Sequence, residues 1–371
     1  MSKKLFWRVV SLGFLIILVI ILIPLVGVAA ECRPWANVTA VVPAASAERQ
    51  KTTADLSDYA RPEDQTYLTL PEWYIVYSAD EYAAFIKNRR PSQFPYFGAI
   101  GQFWRSYYNV CAVTREVYPF NSGYHLSLVV IGTSFTLENI ARGLYEMTLG
   151  RTAEWLSPDA LTPEEVYARQ VAQEYGDFIH TIPWYEFPFG EKFTGLWRET
   201  SLGGPNIVRK WERKFALSLE YGGKAIYSWL IKGGTQAAYA PEDLEIQAWA
   251  RGISEALLAQ EPQIKLVKPL NSQEAIIAVP RYEAFTQLAP QLTRQGVEFI
   301  EIAGNDDILI TAIAPADWAY NLEAGEFLFA LPILSQPQLK RVAVKAPVAS
   351  LHLILRDLET QGIELEHLYD Y

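Results

Sequence analysis

One apolar run near the amino terminus constrains the fold of this chain more than any other feature. The residues from Val9 to Ala30 are almost all apolar, and Lys3, Lys4 and Arg8 precede them. About 20 apolar residues suffice for a helix to cross a bilayer, whereas the apolar core of a cleaved signal peptide has about 7–15. We therefore expect residues 9–30 to form a transmembrane helix whose partner is the lipid bilayer.

The basic residues before this run predict its orientation. The positive-inside rule places residues 1–8 in the cytoplasm as a short stub and the bulk of the chain on the non-cytoplasmic side of the membrane. Residues 28–30 also resemble a cleavage site, so removal of the segment stays an alternative. Residues 31–64 are rich in Ala, Thr, Ser, Pro and charge, which indicates a linker.

Two later segments repeat one pattern: Thr136-Leu-Glu-Asn-Ile-Ala-Arg-Gly-Leu-Tyr145 and Ser218-Leu-Glu-Tyr-Gly-Gly-Lys-Ala-Ile-Tyr227. On a helix, residues four apart are neighbours, so Glu138 lies beside Arg142, and Glu220 lies beside Lys224. We expect the two helices to pack about a pseudo-two-fold axis, with Glu138 facing Lys224 and Arg142 facing Glu220.

These twin motifs admit three interpretations. The favoured one is a structural ion-pair knot, because buried charges persist only when they are paired. The second is a site for a polar or anionic ligand in an aromatic-walled cavity. The third, acid–base catalysis by Glu138 or Glu220, conflicts with the basic neighbours, which lower a carboxyl pKa. The candidate ligand-binding residues are Glu138, Arg142, Tyr145, Glu220, Lys224 and Tyr227. No catalytic residue is assigned.

Residues 65–260 predict an all-helical domain rich in aromatic residues. Eight of the eleven tryptophans lie between Trp73 and Trp249, and this uneven placement marks a domain boundary beyond them. Thr162, followed by a proline and by Glu165, is typical of a capped helix start. The predicted helices begin near Leu70 and cover about residues 98–113, 125–149, 162–180, 206–232 and 241–260.

Two of these helices raise further questions. The first half of the helix over 125–149 is apolar enough to enter a membrane, but we expect it to form the core of a soluble domain, because its apolar part is only half a span long. The helix over 206–232 begins with basic residues, against the helix dipole, and needs either carboxylates of this chain or an external anion. Those residues are Arg209, Lys210, Arg213 and Lys214.

Residues 261–371 predict a ferredoxin-like (split β-α-β) domain, so that the whole chain is α+β. The predicted strands cover residues 275–279, 297–303, 308–313, 341–344 and 363–371, and helices cover residues 281–295 and 347–361. We expect two β-α-β halves in one sandwich, with a hairpin of residues 297–313 and the segment 325–334 between the halves. This fold implies no function, because it hosts many.

Several classes of function lack support in the sequence. The net charge is −10 and no basic stripe occurs, so nucleic acid is a poor partner. The common nucleotide, hydrolase and metal motifs are absent, and no cofactor or metal is assigned. His125 and His180 could converge as haem or metal ligands, but we expect solvent-facing or helix-end histidines instead. Cys32 and Cys111 could form one bridge, yet we expect two separate thiols.

The sequence thus favours a single-pass, membrane-anchored, non-enzymatic protein that acts in assembly or ligand sensing at the membrane surface. The alternative is an enzyme or carrier for a hydrophobic or anionic small molecule bound in the helical domain. Its partners would be the bilayer, a protein, or such a ligand.

Overall fold

The chain folds into a helical region followed by antiparallel sheets, which is the predicted α+β class. The computed structural model describes residues 22–33, 44–56, 59–157, 161–235 and 244–369. Its helices up to residue 235 are α1 (residues 22–31), α2 (Ala44–Thr53), α3 (Asp64–Leu68), α4 (Leu70–Asn88), α5 (Tyr96–Thr114), α6 (Ser122–Tyr145), α7 (Arg151–Leu156), α8 (Pro163–Ile179), α9 (Phe189–Glu199) and α10 (Ile207–Thr235).

Side chains at the helix starts explain where these helices begin. Thr162 accepts a hydrogen bond from the Glu165 backbone amide, and the Glu165 side chain accepts one from the Thr162 amide. This reciprocal cap satisfies two amides that a helix start leaves free, and it confirms the predicted start of α8. At α6, the Asn121 side chain accepts from the amide of Tyr124. A five-residue π-helical segment, Glu146–Gly150, joins α6 to α7.

The sheet region contains eight strands in two sheets of four. The strands are β1 (Glu245–Arg251), β2 (Lys265–Pro269), β3 (Glu274–Pro280), β4 (Glu298–Ile302), β5 (Asp307–Pro315), β6 (Glu326–Pro332), β7 (Leu339–Pro347) and β8 (Glu364–Tyr369). Three helices, α11 (Glu255–Gln260), α12 (Glu283–Arg294) and α13 (Leu351–Thr360), accompany them. The strand orders are β2-β3-β1-β4 and β6-β7-β5-β8, and the neighbouring strands run antiparallel. Both sheets and both longer helices share one apolar core.

The predicted helix over residues 241–260 was wrong. Residues 245–251 form β1, which pairs with β3 and β4, and the one α-helix among the described residues of this range is the six-residue α11. Ile246, Ala248 and Ala250 are buried in strict alternation, the period of a strand. An Ala-, Glu- and Leu-rich composition favoured a helix, but pairing on both sides decided the outcome. The sheet region therefore begins before the predicted boundary at residue 261.

The predicted hairpin over residues 297–313 was also wrong. Strands β4 and β5 belong to different sheets, although a tight turn at Ile302 and Asn305 connects them. The strands that were expected to form one sandwich are therefore divided between two sheets. The segment 325–334, expected as an insertion, contains β6, the edge strand of the second sheet. The single ferredoxin-like sandwich is not confirmed.

Part of the predicted linker packs against the sheet region. Arg49 of α2 forms ion pairs with Glu301 and Asp306, and the Tyr59 hydroxyl donates to Glu301 at 2.8 Å. Lys268 of β2 lies 2.7 Å from Asp55. These contacts attach the segment to β2, to β4 and to the turn that follows β4.

Most of the predicted span falls on residues 1–21, outside the described part of the chain. Among the described residues, no helix combines the length and apolar character that crossing a bilayer requires. The described end of the run, α1, packs on α5. A Cβ at Gly27 would lie 2.2 Å from the Tyr108 hydroxyl, so a larger residue would require the Tyr108 side chain to shift.

Candidate functional site

The twin motifs meet between α6 and α10, which run antiparallel. Lys224 Nζ lies 2.9 Å from Glu138 Oε1 and 3.7 Å from Glu220 Oε1. The Arg142 guanidinium lies 3.6 Å from Glu138 and 3.7 Å from Glu220. The predicted facing of the two acid–base pairs is confirmed. These four residues are called the ion-pair box below. Its two positive and two negative charges cancel.

Aromatic rings from three further helices form the walls of the box. The Arg142 guanidinium lies 4.4 Å from the centre of the Tyr82 ring on α4. Lys224 Nζ lies 5.2 Å from the ring of Tyr175 on α8 and 5.5 Å from that of Phe189 on α9. Each cation therefore contacts both carboxylates and aromatic faces, which attract cations through their quadrupoles.

A cavity of about 90 Å³ lies beside the four charges. All four members of the ion-pair box line it, together with aromatic and apolar side chains of α4, α8 and α9. A water molecule occupies roughly 30 Å³ of liquid, so the space corresponds to a few waters or a ligand of a few heavy atoms. Typical drug-sized ligands need about 300–1,000 Å³. The Glu138 side chain is 40% exposed, and that of Lys224 is 18% exposed.

The box favours the charged forms of its members. Burial alone would raise the pKa of Glu138, but Lys224 and Arg142 outweigh it and lower that pKa below its usual range. Burial alone would lower the pKa of Lys224, and the two glutamates raise it instead. Burial raises the pKa of Tyr175 to about 12, although Lys224 opposes the shift. Glu138 is therefore a stable carboxylate and a poor general base.

Tyr145 and Tyr227, the other two candidate residues, lie outside the cavity lining. The Tyr145 hydroxyl donates to the backbone carbonyl of Glu212 at 3.3 Å. The Tyr227 ring stacks on Trp184, with ring centres 5.2 Å apart, and is largely exposed. The structure brings four of the six candidate residues together and places the two tyrosines elsewhere.

A second ion cluster lies near the start of α10. The sequence predicted its basic residues as a group in need of partners, but it did not identify the carboxylates. Arg209 is fully buried and donates to Glu165 at 2.8 Å, to Glu212 at 2.7 Å and to Glu154 at 3.1 Å. It also donates to the backbone carbonyl of Gly150 at 3.1 Å. The basic residues at the start of α10 were predicted to need either carboxylates of this chain or an external anion. These contacts show that Arg209 pairs with carboxylates of this chain.

The same cluster continues one turn along α10. Arg213 binds Glu146 through two hydrogen bonds of 2.8 and 3.0 Å, a bidentate geometry that favours arginine over lysine. On the neighbouring side, Lys210 and Lys214 lie 3.3 and 3.6 Å from the fully buried Glu164. The group of Arg209, Arg213, Glu146, Glu154, Glu165 and Glu212 is called the closed ion cluster below. Two sequence signals pointed to part of it: the Thr162–Glu165 cap and the basic residues at the start of α10.

The histidines do not form a common site. His125 lies in the first turn of α6, a helix-end position as expected, but it is buried, 2.8 Å from the Tyr107 hydroxyl. Burial lowers its pKa to about 4. His180 caps the end of α8, as expected, and pairs with Asp80 at 2.7 Å and Glu283 at 3.4 Å. Its hydrogen bond with Asp80, followed by its ion pair with Glu283, raises its pKa to about 10.

Cys32 and Cys111 form a disulfide, so the expectation of two separate thiols was wrong. Their Cα atoms lie 4.5 Å apart, because α1 packs directly on α5. Within the described ranges, the one group of side chains close enough to hold a metal is these two cysteines with His125. The sulfur atoms are bonded to each other and are not available as thiolate ligands.

Comparison with known proteins adds no family assignment, because the chain matches no family model, no curated protein and no solved structure.

Proposed function

We propose that the chain is a single-pass membrane protein that works without catalysis, in assembly or ligand sensing at the membrane surface. Residues 9–30 anchor it, residues 1–8 lie in the cytoplasm, and the folded regions lie on the other side of the bilayer. The observation that carries the proposal is the disulfide between Cys32 and Cys111.

The disulfide supports both the proposed side of the membrane and the attachment of the folded region to the anchor. Disulfides persist in compartments outside the reducing cytoplasm, which agrees with the orientation that the basic stub predicts. Cys32 comes two residues after the end of the apolar run, and Cys111 lies on α5 in the middle of the helical region. The bond therefore holds the folded region directly at the end of the proposed anchor.

The ion-pair box supports a role without catalysis. Each of its charges faces two opposite charges within 3.7 Å. A general acid or base needs a pKa near the working pH, and the pKa of Glu138 is lowered instead. We infer that the box holds α6 and α10 together.

A second candidate function rests on the cavity. Four charges and several aromatic rings surround about 90 Å³, which suits a small polar or zwitterionic ligand in a sensor or carrier. Glu138→Gln separates the two functions. At a structural box the variant loses thermal stability, whereas at a ligand site it stays as stable as the native chain and loses binding of small polar probes.

We also propose that each sheet belongs to a ferredoxin-like unit. The first has the element order β-α-β-β-α-β with the strand order of that fold. The second has the same strand order but a loop between β5 and β6 in place of the first helix. An experimental structure with different strand orders would contradict this assignment.

The proposal on the membrane is tested on the full chain expressed in a bacterial host. We expect alkaline carbonate to leave it in the membrane fraction, and external protease to digest the folded regions only in right-side-out vesicles. We also expect no free thiols before reduction. Release by carbonate would overturn the anchor. Digestion only in inside-out vesicles would overturn the orientation.

A further inference from the structure

Helix α10 has its charges inside and its apolar side chains outside. From residue 207 to residue 230 every charged residue is buried or half-buried, because each belongs to or adjoins the ion-pair box or the closed ion cluster. Over the same range, the exposed residues are a glycine and nine apolar or aromatic ones, among them Phe215, Leu219 and Ile226, which are 56%, 60% and 65% exposed. A helix of an ordinary water-exposed domain shows the opposite arrangement.

Helix α6 is built in the same way. From residue 126 to residue 149 every charged residue is buried or half-buried, and the exposed residues Leu126, Val130, Leu137 and Leu144 form the outer stripe. The two helices are antiparallel and contact each other through matching positions of the repeated motif. Successive residues of a helix are rotated by 100°, so the neighbours of these matching positions point to the same side of the helix pair. Their outer stripes therefore form one continuous surface, called the apolar face below. At 1.5 Å per residue each stripe is about 35 Å long.

A surface of this size on a protein marks a contact with lipid or another chain. The position of α1 favours lipid. α1 is the end of the apolar run and exposes apolar residues such as Ile23 and Val26. The disulfide and the Gly27 contact fix it on α5. Val28 of α1 shares an apolar core with Leu128 and Val129 of α6, so the anchor leaves the folded region beside the apolar face.

We propose that the apolar face of α6 and α10 lies in the interfacial layer of the bilayer that the anchor crosses. Amphipathic helices bury an apolar face about 5–10 Å into this layer. The ion-pair box would then sit just above the lipid, with its charges turned away from it. This inference rests on the proposed membrane anchor and adds a second contact with the same membrane.

The test places single fluorescent labels on the full chain in phosphatidylcholine vesicles. Val130→Cys and Leu219→Cys carry the label on the apolar face, and Glu359→Cys, exposed on α13, is the matched control. Lipids with a nitroxide in the acyl chain quench only labels that enter the bilayer. We expect quenching at positions 130 and 219 at least about five-fold stronger than at position 359.

Three other outcomes overturn the inference. Labels at 130 and 219 that iodide quenches from the water phase place the face in solvent. If neither the lipid nitroxide nor iodide quenches these labels, and energy transfer occurs between labels on different chains, a second copy of the chain covers the apolar face. Both outcomes leave the anchor intact if carbonate still fails to release the chain. Release of the chain by carbonate would instead overturn the proposed membrane anchor, and with it the inference that the apolar face lies in the bilayer.

Discussion

The two ion clusters along α10 differ in how far they are closed to water. In the closed ion cluster, Arg209 is fully buried and hydrogen-bonded to three carboxylates and a carbonyl. In the ion-pair box, three of the four charge pairs are 3.6–3.7 Å apart and a cavity admits water or a small ligand. The closed ion cluster can only hold the helices in place. The cavity beside the ion-pair box also leaves room for water or a small ligand to enter and leave.

The largest expected effect is at the closed ion cluster. Arg209→Gln leaves Glu165, Glu154 and Glu212 without their shared partner in a buried setting. Breaking such a pair from one side costs about 3–5 kcal/mol in the free energy of unfolding. Chemical denaturation of the two proteins measures the difference. The matched control, Arg198→Gln, removes an exposed partner of Glu199 and should stay within about 0.5 kcal/mol of the native chain. Equal effects of the two changes would contradict the difference between closed and open charges.

His180 sharpens the comparison, because this ionic site titrates. Its pKa is raised to about 10 by Asp80 and Glu283, so the native state binds a proton more tightly than the unfolded state. The stabilisation is complete below pH 6.5 and is lost as the pH rises towards 10, and we expect its size to be on the order of 2 kcal/mol. His180→Gln should therefore destabilise at pH 6 and converge with the native chain above pH 10. Parallel stability curves for the two proteins would refute the pairing.

The ion-pair box should give a smaller effect. Glu138→Gln removes one charge from a site that water reaches, so the loss should be about 1 kcal/mol, well below that at Arg209. Thermal melting at pH 7 measures it, with Glu199→Gln as the exposed control. A loss as large as that of Arg209→Gln would mean that the box is as closed as its neighbour.

The smallest expected difference between the two clusters is in how salt changes the destabilisation caused by a substitution. Raising the ionic strength from 0.1 to 1 M shortens the screening length from about 10 to about 3 Å. The destabilisation by Glu138→Gln should fall by roughly half, because ions reach the cavity, while that by Arg209→Gln should not change. Denaturation curves at both salt concentrations measure this, and a response shared by both variants would contradict it.

The sequence predicted what depends on neighbours along a helix. The spacing of Glu138 and Arg142, repeated at Glu220 and Lys224, was sufficient to predict their meeting. Two acceptors of Arg209, Glu154 and Glu165, could not be predicted, since they lie on other helices. β1 was missed because its composition favours a helix and its partners are 23–54 residues away.

The disulfide and the orientation of α10 show a second limit. Cys32 and Cys111 are 79 positions apart, and no local pattern indicates their proximity. Periodicity shows that α10 has a charged and an apolar side, but it does not say which side faces outward. The usual assumption, apolar inside, fails here because carboxylates of the π-helical segment, α7 and α8 converge on the charged side.

A double-mutant cycle of Glu138→Gln and Lys224→Met tests most directly whether the two motifs neutralise each other. We expect the double variant to be about 0.5–1 kcal/mol more stable than the sum of the single effects predicts, since either change alone already breaks the 2.9 Å pair. Strictly additive losses, or single variants as stable as the native chain, would contradict the account.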